Sequence, residues 1–215
     1  MFVFNIVLVH SDTDVGRVDF DQFGERILQS TANRNCAAVA MILAGDEPDL
    51  KLCMIRRAEK SGDPWSGHMA FPGGRFSAED VDLQVTAERE THEEVGLVIE
   101  PSHRLGSLEA ISIWLSGREQ PLYLFPSVYY LGQTAPVFTL NLEVAEAYWM
   151  PLAHPWDGEN ATHLSLSNDN TALFYPAIRF EDQVIWGITL RVLTLFSDVL
   201  GRPLPHLEEI PGLGR

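Results

Sequence analysis

Residues 80–96, DVDLQVTAERETHEEVG, restrict the fold more than any other stretch of the 215-residue chain. Four glutamates lie between Glu88 and Glu94. The spacing predicts a helix from about Asp80 to Val95, ended by Gly96 as a C-terminal cap. At about 100° per residue, Leu83, Ala87, Thr91 and Val95 form one stripe, the face to be turned to the core. Glu90 and Glu94 fall within about 20° of Leu83, along the edge of that stripe, and Glu93 is the next residue around. Glu88 is assigned to the far side, in solvent.

That arrangement is costly. Like charges four apart destabilise a helix by roughly 0.2–0.5 kcal/mol. A carboxylate withdrawn from water without a partner costs several kcal/mol more. Arg89 can satisfy one carboxylate but not three. A hard divalent cation, Mg²⁺ or Mn²⁺, would satisfy the rest through oxygen ligands. The helix alone leaves a solvated acidic face, with an ordinary Arg89–Glu93 pair, equally open. The loop upstream, FPGGRFSAED, favours the cation. Pro72 sets one turn dihedral, and Gly73-Gly74 lets the backbone approach a ligand closely. The Gly73 carbonyl is a natural further ligand, and the loop amides can meet phosphate oxygens.

The charge balance narrows the partners. Fifteen basic side chains stand against 30 acidic ones, a net charge of −15. Such a surface repels nucleic-acid backbones and anionic membranes. The opening run MFVFNIVLVH is too short for a membrane span and lacks the features of a signal peptide. The two cysteines, Cys36 and Cys53, sit in apolar runs without metal-ligand spacing and read as reduced core thiols. A cytoplasmic protein is expected.

Elsewhere, VDFDQFGERILQS has helical spacing, and CAAVAMILA and LKLCMIRR read as strands split by a turn. Residues 61–75 read as loop. LGSLEAISIWL, PLYLFPSVYYL, AYWMPL and FYPAIRF read as antiparallel strands, and VIWGITLRVLTLFSDVL as one buried helix. The pattern is mixed α/β (α+β), helices packed around strands. Residues 1–34 are taken as an N-terminal extension packed on a domain spanning 35–215.

The stretch GGRFSAEDVDLQVTAERETHEEVGL resembles the signature box of the Nudix hydrolases, with Arg89-Glu90 and Glu93-Glu94-Val95-Gly96 in the family's places. NLEVAEAYWMPL and VIWGITLRVL extend the resemblance, the latter towards coenzyme A pyrophosphatase-like members. It departs where the family expects a glutamate eight residues before the arginine, since Val81 stands there. Asp80 or Asp82 is expected to pair with Arg89 instead. Thr91 replaces the usual apolar residue.

The resemblance implies a mixed β-sheet sandwiched between helices. It also implies hydrolysis of a nucleoside diphosphate linked to another moiety, using Mg²⁺ or Mn²⁺. Glu90, Glu93, Glu94 and the Gly73 carbonyl would hold the metal, and Arg89 would orient the carboxylates. Glu93 is the first choice for proton acceptor, with Glu143 behind it. Arg57 and Arg75 would grip phosphates, from a basic set that also includes Arg56 and Lys60. His68 reads as structural, and Trp149 and Trp186 as core.

Coenzyme A or an acyl-CoA is the expected substrate, because Arg57-Ala58 and FPGG match the motif of that group. The spacer EKSGDPWSGHMA lacks the motif's second arginine. ADP-ribose and nucleotide sugars are the alternatives, and a non-catalytic nucleotide sensor is the reading from another class. Many relatives dimerise, so a homodimer is also expected.

Overall fold

The computed structural model describes residues 35–205 except 116, 118, 169 and 170. The N-terminal extension and its helical segment lie outside the described residues. Among the described residues there are eleven strands and two α-helices: β1 Cys36–Ala44, β2 Lys51–Arg57, β3 Met69–Ala70, β4 Gly73–Arg75, α1 Leu83–Val95, β5 Arg104–Ser107 and β6 Ile111–Ile113. Then follow β7 Leu122–Tyr130, β8 Val144–Pro151, β9 Ala161–Asn168, β10 Thr171–Phe180, β11 Gln183–Trp186 and α2 Gly187–Val199.

β1 is apolar throughout, and β2 at residues 52–55, because both faces of the sheet are covered there. On β1, Ala38, Ala40 and Ile42 pack with Leu83, Ala87 and Val95 of α1. Its alternate residues Met41 and Leu43 pack with Leu190, Leu193 and Phe196 of α2. The eight-stranded sheet runs β3-β2-β1-β7-β5, with β4 and β6 added beside β1 and β7, and β8 beside β2. β9, β10 and β11 form a separate antiparallel sheet. Cys36 and Cys53 are buried free thiols.

Three local expectations change. β1 and β7 run parallel, not antiparallel, from Cys36–Tyr123 to Leu43–Tyr130. The last apolar segment is not one helix: residues 183–186 are strand, and the chain turns at Gly187, φ 59°, into α2. The supposed loop 61–75 contributes β3 and β4.

The placement of β3 and β4 forks the sheet. β1 and β2 pair at Leu43–Leu52 and Ala44–Lys51, then part. Farther along, β1 takes β4 as its neighbour, at residues 37–39, while β2 takes β3 at Ile55 and Arg56. The cleft described below opens in this fork.

Candidate active site

α1 begins at Leu83, three residues later than its spacing suggests, because the two aspartates before it have other work. Asp82 is the N-cap, its Oδ1 accepting from Val85 N–H at 2.8 Å. Asp80 is buried and takes the Arg89 guanidinium in two-pronged fashion, Nε to Oδ1 at 2.9 Å and NH2 to Oδ2 at 3.0 Å. It also accepts from Thr86 Oγ1 at 2.8 Å and Ser77 N–H at 2.9 Å. Arg89 foremost, against the cost of burial, holds the Asp80 carboxyl down at about 2. Of the two candidates for the partner of Arg89, Asp80 is the one that pairs with it.

The predicted stripe Leu83, Ala87, Thr91 and Val95 is buried. Glu94 lies within it, 2% exposed. Its Oε2 accepts the Gly73 N–H at 2.9 Å. Burial, opposed by that hydrogen bond and reinforced by the charge of Glu90, pushes its carboxyl up to about 7. Glu90 is also shifted upward, by burial, although Arg89 NH1 donates to it at 2.9 Å. A Cβ on Gly74 would lie 2.3 Å from the Glu90 carboxyl carbon, so the Glu90 carboxylate keeps this place only beside a glycine. The glycine pair thus brings backbone against the chain's own glutamates, and the Gly73 amide is already engaged.

Glu93 behaves differently. Its side chain is 54% exposed and meets Arg89 NH1 at 3.3 Å. It does not line the cleft. Glu88 is half-buried rather than solvated, and desolvation raises its carboxyl. The wheel explains why: it stands only about 20° from Val95, on the opposite edge of the stripe from Glu90.

A cavity of about 520 Å³ joins Glu90, Glu94, Gly73, Gly74 and Arg75 to Arg57 and Glu143. Its other walls are apolar and aromatic, including Trp65, Leu122, Leu124, Trp186, Ile188 and Val192. Trp186 therefore faces the cleft rather than the core, with His68 edge-on at 5.0 Å. His68 lines the same cleft, and burial lowers its pKa. Trp149 is half-buried, stacked on Phe138 with its indole N–H on the Pro136 carbonyl at 2.8 Å. Of the basic residues, Arg57 and Arg75 reach the cavity. Arg56 is paired with Glu146 at 2.8 Å, and Lys60 is exposed.

Among the described residues, no three histidine, cysteine, aspartate or glutamate side chains converge closely enough to enclose a metal ion. The chemistry of the pair Glu90 and Glu94 nevertheless fits one. Both are oxygen donors desolvated beside each other, each shifted towards the neutral form by burial more than the nearby arginines offset.

Sequence reasoning left Glu143 in second place and passed over Asp63, which pairs with Arg57 at 2.9 Å. Asp63 sits in a Ser-Gly-Asp-Pro turn, where an aspartate reads as local turn chemistry. Nothing in its spacing signals the partner.

The NUDIX domain family model matches residues 34–166. An uncharacterized protein of Schizosaccharomyces pombe is 40% identical over 103 residues, 46% of this chain and 31% of that protein, so the chain spans about a third of that relative. The uncharacterized Nudix hydrolase NudL of Yersinia pestis is 28% identical over 164 residues, 76% of this chain and 78% of that one. Among solved structures, a MutT/nudix family protein from Enterococcus faecalis aligns over 88% of this chain and 76% of its own, with a TM-score of 0.56 at 18% identity. The mixed sheet with a helix on each face is the Nudix fold, and the chain belongs to the NUDIX domain family.

Proposed function

We propose that this protein hydrolyses the pyrophosphate bond of coenzyme A or an acyl-CoA. The observation that carries this reading is the two-sided cleft, in which Glu90, Glu94, Arg57 and Arg75 share one cavity with a largely apolar wall. A diphosphate suits the charged side. An aliphatic arm suits the other, where the hydroxyls of a sugar would find few partners. The aromatic faces of Trp65 and Trp186 keep ADP-ribose and nucleotide sugars as a second reading, since both can stack on a flat ring system.

Glu90 and Glu94 would hold Mg²⁺ or Mn²⁺ with the Gly73 carbonyl, and Glu93, which lies outside the cleft on Arg89, would join them only by leaving that partner. When bound, the cation would neutralise the diphosphate and lower the pKa of water in the cleft. Arg57 and Arg75 would each set a guanidinium against phosphate oxygens. Arg89, fixed by Asp80, would hold Glu90 in place from behind. Glu93 is the proton acceptor the family resemblance suggests, but the cavity position favours Glu143. The apolar wall would limit competing water and fix the substrate's far half. Such catalysis is mostly positioning and charge stabilisation.

The test is mass spectrometry of products from coenzyme A with Mg²⁺, with Glu94→Gln as control. Release of 4′-phosphopantetheine and 3′,5′-ADP, absent in the control, is the expected result. Cleavage of ADP-ribose alone would reject the coenzyme A assignment. A binder without catalysis would turn over neither. Glu143→Gln and Glu93→Gln then separate the two candidate proton acceptors, the true one losing rate while retaining substrate affinity. Among the described residues no helix is long and apolar enough to cross a membrane. The cytoplasmic location and the homodimer remain proposals, tested by cell fractionation and light scattering.

A further inference from the structure

We propose that Asp63 is a positioning residue that holds the Arg57 guanidinium off the cleft glutamates. Glu90 and Glu94 then stay free for a divalent cation, and Arg57 for an anionic substrate. The inference rests on the metal reading of the site given above.

Arg57 ends β2, and its cleft contains Glu90, Glu94 and Glu143. Its charge already acts on Glu94, whose pKa it pulls down against the larger upward effect of burial. An untethered guanidinium beside desolvated carboxylates would close onto one of them, because a charge-assisted pair is the strongest contact available to both. That contact would neutralise a ligand and occupy the phosphate grip at once. Among the described residues, the ion pair Arg57 makes is instead with Asp63, NH2 to Oδ2 at 2.9 Å.

Asp63 is well built for this task. Its other oxygen, Oδ1, accepts the Trp65 N–H at 3.0 Å. Its own backbone N–H donates to the Lys60 carbonyl at 3.2 Å, and its carbonyl accepts from Ser66 N–H at 3.1 Å. The carboxylate is therefore pinned by its turn and cannot follow Arg57 into the cleft. The guanidinium is not saturated by the pair, since the buried Nε of Arg57 has no hydrogen-bond partner. The same turn places Trp65 on the cleft wall, so one carboxylate sets both the charged and the aromatic lining.

The experiment is a Mn²⁺ titration of the metal-free protein without substrate, following the paramagnetic signal of free Mn²⁺. Asp63→Ala should weaken binding by about tenfold, the effect of Arg57 moving onto a ligand carboxylate. Asp63→Asn keeps an acceptor for the Trp65 N–H and should weaken it similarly, because the charge is what restrains Arg57. Arg57→Ala should bind Mn²⁺ at least as well as the wild type, and the Asp63→Ala/Arg57→Ala double variant should match it. A loss that persists in the double variant would mean that Asp63 merely supports the loop, overturning the proposal. So would unchanged binding in both Asp63 variants, or a loss confined to the alanine. A wild type that takes up no Mn²⁺ would remove the metal reading and this tether with it, while hydrolysis of coenzyme A would be judged separately by its products.

Discussion

Glu94 carries a carboxyl only 2% exposed that accepts the Gly73 N–H. Replacing it with an amide removes a charge that is costly to bury and useful only with a cation beside it. Glu94→Gln should therefore lower metal-dependent turnover on the order of 10²–10³-fold, while the metal-free variant melts at or above the wild-type temperature. Asp80 presents the opposite balance. Its folded pKa, about 2 against an ordinary 3.8, corresponds to about 2 kcal/mol of stability. Because the folded value is the lower one, that contribution is complete above about pH 4 and disappears as pH falls towards 2. In urea titrations, Asp80→Asn should be less stable by about 2 kcal/mol at pH 7 and converge on the wild type near pH 2.

The glycine loop and α1 work as one unit, and the two glycines serve it in different ways. At Gly74 an added Cβ would strike the Glu90 carboxylate, a side-chain end that can move away. At Gly73 it would lie 2.2 Å from the Ala38 carbonyl and 2.6 Å from the Val39 Cα, with φ at 152°. Gly74→Ala should thus retain most of its stability and lose activity by displacing Glu90. Gly73→Ala should cost roughly 2 kcal/mol or more, since backbone must shift. Thermal melts and initial rates on the same preparations separate the two. The C-terminal cap of α1 was legible in the sequence because it depends on residues within one helical turn. The glycine pair read as a turn is instead strand β4, a pairing with β1 that no local signal contains. The exact start of α1 was not legible either, because Asp80 and Asp82 are equivalent as caps and only the position of Arg89 in three dimensions distinguishes them.

At the scale of the whole molecule, the cleft is closed by an element distant in sequence. Thr189, near the start of α2, donates its Oγ1 to the Met69 carbonyl of β3 at 2.8 Å in a buried contact. Thr189→Val should cost about 1–3 kcal/mol through the orphaned carbonyl. It should also raise KM more than it lowers kcat, because Thr189 lines the cavity wall rather than the glutamate side. Chemical denaturation and steady-state kinetics check each part. What the sequence by itself determined is the chemistry that local spacing can encode: a helix with carboxylates on its buried edge, the Gly-Gly approach to it, and strands apolar on both faces. The tertiary structure alone decided which charges meet. Asp63 finds Arg57 across a turn, Glu143 enters the cleft while Glu93 faces outward, and Trp186 becomes a wall because the sheet forks beneath it. Those outcomes depend on how β1 and β2 part and where α2 lands, long-range packing that no window of the sequence contains.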